Sequence, residues 1–139
     1  MICASPAYLA QRGRPRSPED LGSHDAILFD GYSSAPTWSL VRGAAAVTVQ
    51  PAFRLVVNDT EAAVDGAVAG FGLVRVLSYQ VDDLLKTGAL TLVLNEFEPA
   101  PIPVRLVYVD REPLPRKIRA YVDWSRPRLR ERLARVTSA

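Results

Sequence analysis

Apolar residues along the chain gather in short blocks, each closed off by glycine, proline or a polar cluster. Residues 26–29 (AILF), 52–57 (AFRLVV) and 73–76 (LVRV) are short and rich in β-branched or aromatic side chains, so each predicts a strand. TWSLV and AVTVQP alternate as paired strands do, with Arg42 and Gly43 at the turn between them. Residues 90–94 (LTLVL) and 103–109 (PVRLVYV) predict two more, separated by the proline-rich, acidic NEFEPAPI.

Between these blocks stand helix signatures. SPAYLAQRG offers Ser5 as N-cap, Pro6 at the first helical position and Gly13 past the end, and SPEDLGSH repeats the pattern from Ser17. A third helix opens near Asn58, which with Glu61 forms a capping-box spacing, and Gly70 and Gly72 close it. Ala63, Ala67 and Gly70 give it a smooth stripe that suits close packing on a sheet. A fourth opens at Ser78 and closes at Gly88. The tail sets Ile118, Tyr121, Val122, Leu129 and Leu133 at roughly helical spacing, with Pro127 expected to kink or split the helix near 123–125. Strands alternating with helices from 52 to 135 predict an α/β fold with a mostly parallel, partly mixed sheet flanked by helices.

Composition changes this picture little. The chain's 139 residues suffice for one domain with its own core, and 48% hydrophobic with 23% charged residues is ordinary for a globular protein. No apolar run approaches the length of a membrane span, and no basic region precedes the first apolar residues, so neither membrane nor secretion is expected. The single Cys3 rules out an internal disulfide and fits a reducing, cytoplasmic setting. An apolar Ile2-Cys3 directly after Met1 reads as the interior of a longer protein. Charge is uneven: residues 1–115 hold 9 basic and 13 acidic side chains, residues 116–139 hold 8 and 2. The basic tail reads as the solvated face of a docking helix, with nucleic-acid binding as the competing reading.

Candidate chemistry is sparse. The GFG at 70–72 closes a helix and enters a strand, the reverse of a phosphate-binding glycine loop. SHD at 23–25 holds triad residue types without triad geometry or a nucleophile elbow. His24 suits a helix C-terminus as a partial positive charge. One His and one Cys supply no metal-ligand spacing, and no catalytic residue or cofactor is expected. What remains is a set of helix starts at Ser5, Asn58–Thr60 and Ser78. In a parallel sheet such starts share one rim with the strand C-termini, where ligands bind. The loop DGYSSAPTW adds hydroxyls and aromatic rings. The candidate ligand-binding residues are therefore Asp30, Gly31, Tyr32, Ser33, Ser34, Asn58, Asp59, Thr60, Ser78 and Tyr79.

The order CASPAYLAQRGRPRSPEDLGSHDAILF, WSLV, NDTEAAVDGAVAGFGLVRVLSYQV and LKTGALTLVL resembles the effector-binding region of LysR-type transcriptional regulators, over residues 2 to about 136. The resemblance implies a lobe like those of periplasmic binding proteins over 1–105, and a crossover strand and C-terminal helix of an incomplete first lobe over 106–139. It implies no enzymatic activity. Small metabolites, often anionic, would bind between the lobes. Homo-oligomers would form through the C-terminal helix and lobe surfaces, and DNA would be held only by a helix-turn-helix absent from these residues. The alternatives are a stand-alone solute-binding lobe and an oligomerisation module.

Overall fold

The computed structural model describes residues 1–31, 36–108 and 115–137. Residues 1–99 and 100–139 form two compact units. In the first, five strands pair into one sheet: β1 (Ile2–Ala4), β2 (Asp25–Phe29), β5 (Ala52–Val57), β6 (Leu73–Arg75) and β7 (Thr91–Val93), in the order β5-β2-β6-β1-β7. β2 is parallel to β5 and β6, whereas β1 is antiparallel to β6 and β7. Four strands therefore run one way and β1 alone runs the other, the mostly parallel, partly mixed sheet that the sequence predicts. β3 (Trp38–Arg42) and β4 (Ala45–Val49) form a separate hairpin whose turn includes Gly43 at φ +61°.

Helices cover both faces. Cys3, Ile27, Val74, Val76 and Leu90 pack with Ala63, Val64 and Ala67 of α2 (Thr60–Val68) and Val81 of α3 (Ser78–Lys86). Ala63 and Ala67 of the small-residue stripe are fully buried, and beside them Gly66, outside that stripe, lies so near the sheet that a Cβ on it would be 3.1 Å from the Ile27 side chain and 3.2 Å from Leu55. On the other face, Ile2, Ala4, Ala26, Leu73 and Val93 pack with Tyr8 of α1 (Pro6–Arg12), with Leu21 of the 3₁₀ turn Pro18–Ser23, and with Trp38 and Leu40 of the hairpin.

The ends of α2 explain the glycines of GFG. The N–H of Phe71 donates to the carbonyl of Gly66 and that of Gly70 to Ala67, with Gly70 at φ +84°: a Schellman stop. Gly72 sits against β2, where a Cβ would lie 2.5 Å from the Asp25 carbonyl oxygen. Two capping expectations are corrected. Asp59, not Asn58, caps α2, because its carboxylate is the one that accepts from the N–H groups of Glu61 and Ala62. Ser78 lies inside the first turn of α3, where Leu77 holds the cap position and the Gln80 side chain accepts from the Leu77 N–H.

The second unit departs further. Residues 101–108 form no strand, contrary to the sequence pattern, and all are exposed. A strand needs a neighbour for its backbone groups, and no other described segment of this unit is extended enough to be one. Pro127 does not split the final helix: α4 (Arg116–Thr137) is continuous through it. Val122 and Ser125 are buried and Ile118, Leu129 and Leu133 half-buried, so the less exposed stripe passes through Ser125 and leaves out Tyr121, which is 62% exposed.

Candidate functional site

Because four strands are codirectional, Phe29, Val57, Arg75 and Val93 end on one rim, and α2 and α3 both start there. The expectation that the Ser5 helix start joins them is wrong. β1 runs antiparallel, so the Ser5 cap and α1 lie at the opposite rim.

Where α2 and α3 begin, an open cleft of about 780 Å³ is lined by Phe29, Asn58, Asp59, Thr60, Glu61, Val64, Asp65, Tyr79 and Gln80. That volume is within the range of small-molecule sites. Of the residues expected at a site, Asn58, Asp59, Thr60 and Tyr79 come together on this wall. Ser78 is half-buried in the first turn of α3 without lining the cleft. Asp30 and Gly31 are exposed just past β2 and also lie outside the lining, though the Asp30 N–H donates to the Val57 carbonyl at 2.8 Å and so holds that strand end beside β5. Tyr32, Ser33 and Ser34 lie outside the described residues.

The sequence reading missed Phe29, Glu61, Val64, Asp65 and Gln80. Phe29 looks like any strand residue, yet as the last of β2 it stands at the rim, and its ring packs so closely over Gly31 that a Cβ there would meet it at 2.1 Å. Glu61 and Asp65 stand at i and i+4, which places them on one helix face. That spacing was the available signal.

The opposite rim contains a different kind of cluster. The Tyr8 hydroxyl accepts from the Asp25 N–H at 2.9 Å and lies 3.1 Å from His24 Nδ1 and 3.2 Å from the Asp25 carbonyl, either of which can take its proton. The Asp25 carboxylate takes Arg12 and Arg54, each at 3.1 Å. His24 is 5% exposed, and burial foremost, with the nearby Arg12 charge, pushes its pKa down. That direction works against the partial positive charge expected of it at a helix end. Burial also pushes the Cys3 thiol up to about 12, which removes it from thiolate chemistry. Among the described residues no cluster of His, Cys, Asp or Glu could hold a metal ion, and no helix is long and apolar enough to cross a membrane.

The family model described as LysR substrate binding domain matches residues 1–130. The chain belongs to this family. LysR proteins are transcriptional regulators, not enzymes. The HTH-type transcriptional regulator YhjC of Escherichia coli K12 is 31% identical over 124 residues, covering 88% of this chain and 42% of that protein. The transcriptional activator AaeR of the same organism is 27% identical over 123 residues, covering 88% and 40%. The chain thus spans about two fifths of the length of the curated relatives it matches. Among solved structures, the CrgA regulatory domain of Neisseria meningitidis aligns with a TM-score of 0.73 at 26% identity over 88% of this chain and 60% of that one. The AphB regulatory domain of Vibrio vulnificus aligns at 0.74 and 22%, over 89% and 61%.

Proposed function

We propose that this LysR substrate-binding domain senses a small metabolite in the cleft where α2 and α3 start, within a cytoplasmic regulator that holds DNA through a separate helix-turn-helix. In this reading residues 1–105 are the second lobe of the effector region, and residues 106–139 lead back to a first lobe that completes the cleft. The observation that carries it is the convergence of Asn58–Thr60 and Tyr79 on one cavity at the strand C-terminal rim. Thr60 and Tyr79 offer hydroxyls, Asn58 an amide, and Phe29 an aromatic side chain, a mixture that orients a small organic ligand.

A thermal-shift screen of metabolites tests it. A ligand present at about a hundred times its Kd stabilises by about 2.7 kcal/mol, which is several degrees for a domain of this size. Thr60→Val and Tyr79→Ala are expected to reduce the shift of any hit. A hit whose shift survives both substitutions would place the site elsewhere.

Self-association through α4 belongs to the same reading. Tyr121 and Trp124 are 62% and 56% exposed, and the Arg128 guanidinium lies 4.3 Å over the Trp124 ring. Sedimentation should show an oligomer that Trp124→Ser weakens; a monomer at all concentrations would count against it.

A further inference from the structure

We propose that α4 binds the phosphate backbone of duplex DNA through a stripe of four arginines, Arg116, Arg119, Arg126 and Arg130. This contact is separate from the cleft and from the Tyr121–Trp124 flank, and rests on neither reading above. The four stand at i, i+3, i+10 and i+14 of one helix. They therefore fall within about a quarter of its circumference, over about 21 Å of its axis, the length of about six base-pair steps. All four are exposed. The stripe exists because α4 is continuous through Pro127; a helix split near 123–125 would not keep the first pair in line with the second.

The cations of α4 differ from those of the first unit. There Arg12, Arg42, Arg54 and Lys86 each meet a carboxylate. Among the described residues none of Arg116, Lys117, Arg119, Arg126, Arg130 and Arg132 forms an ion pair. Asp123 lies on the same stripe, four residues after Arg119 and three before Arg126, and meets neither. Arg128 is occupied otherwise: its guanidinium lies 4.3 Å over the Trp124 ring and donates to the Trp124 carbonyl at 2.8 Å. Residues 116–134 hold seven basic and two acidic side chains, a net +5. Arg126 and Arg130, four apart on one face, repel each other. A polyanion laid along the stripe relieves that repulsion.

Duplex DNA is the polyanion that fits. It carries one negative charge per about 1.7 Å of axis and stays stiff over this length, as a row of arginines on one helix requires. Arginine also pairs with phosphate through two parallel N–H groups. A lipid surface would need an apolar face beside the cations, but the apolar stripe of α4 is turned inward at Val122 and half-buried at Ile118, Leu129 and Leu133. A single strand would need aromatic platforms among the cations, and Tyr121 and Trp124 stand on the opposite flank of the helix. Two copies of the stripe would repel. α4 carries no Asn or Gln to read adenine, so the contact holds the backbone and is independent of sequence.

Fluorescence anisotropy with the whole chain and a labelled duplex of arbitrary sequence tests it. Four phosphate contacts predict that affinity falls about a hundredfold between 50 and 200 mM salt. The variant Arg116→Gln/Arg119→Gln/Arg126→Gln/Arg130→Gln, checked for an unchanged melting temperature, should flatten the log-affinity against log-salt slope by about three to four. The same four positions changed to lysine should keep the slope, since the charge remains. Lys117→Gln/Arg132→Gln, on the other flank, should leave it unchanged. A second duplex of unrelated sequence should bind equally well. No binding at 50 mM salt, or a glutamine variant with the parent's slope, would overturn the proposal. So would a single strand of equal length that binds more tightly and loses affinity with Trp124→Ser, which would assign the face to unpaired bases. A glutamine variant that alters the sedimentation of the chain and not its DNA affinity would give the stripe to self-association instead.

Discussion

At one rim of the sheet Tyr8, His24, Asp25, Arg12 and Arg54 close on one another. At the other, Asp59, Glu61 and Asp65 line an open cleft that no lysine, arginine or histidine lines among the described residues. The first arrangement stabilises α1 against β2, because its buried polar atoms find partners within the protein. The second uses the Asp59 carboxylate and the Gln80 side chain to cap the starts of α2 and α3, and leaves Glu61 and Asp65 exposed. The antiparallel β1 makes the difference, sending α1 to the rim where the other strands begin and leaving the opposite rim to α2 and α3. Substitutions at the two rims should accordingly separate stability from binding.

The largest effect is expected at Gly72, beside the closed rim. Gly72→Ala would drive a Cβ into the Asp25 carbonyl at 2.5 Å, and urea unfolding should show a loss of about 3 kcal/mol. Tyr8→Phe follows, since it strips the part-buried Asp25 N–H of its acceptor. The cost should be about 1–2 kcal/mol, with ligand affinity at the far rim unchanged.

The pH dependence is smaller. The folded-state pKa of His24 is depressed, chiefly by burial, so the unfolded chain binds this proton more readily. Stability is therefore full above the unfolded value near 6.5 and falls as the pH drops below it. The slope should stay under about 1.4 kcal/mol per pH unit. Between pH 7.5 and 5, His24→Gln should flatten it; an unchanged slope would break the link to this residue. The smallest effect belongs to the open rim. Glu61→Gln/Asp65→Asn should shift stability by no more than about 0.5 kcal/mol, in the stabilising direction, because it removes an i, i+4 repulsion.

Much of the first unit was legible in the sequence because its signals were local. The short β-branched runs became β2, β5, β6 and β7, Ser5 and Pro6 opened α1, and the glycines after α2 closed it. The misreadings came where partners decide. Whether Asn58 or Asp59 caps α2 depends on where the chain leaves β5, which periodicity does not fix to one residue. The position of Ser5 depended on the direction of β1, a fact of pairing rather than pattern. The 103–109 run reads as a strand by composition, yet among the described residues of its own unit residues 101–108 have no strand to pair with. At the site, hydroxyls pointed to 30–34, while Glu61 counted only as the capping-box partner of Asn58, and nothing local marked Phe29, Val64, Asp65 or Gln80 as lining the same cleft.

The central claim is that the rim where α2 and α3 start is the ligand-sensing one. The most direct test is an amide chemical-shift map with a metabolite that raises the melting temperature. The account predicts perturbations concentrated at residues 58–61 and 78–80, with 5–8, 24–25 and 54 silent. A map centred on Tyr8, His24 and Asp25, or on α4, would contradict it.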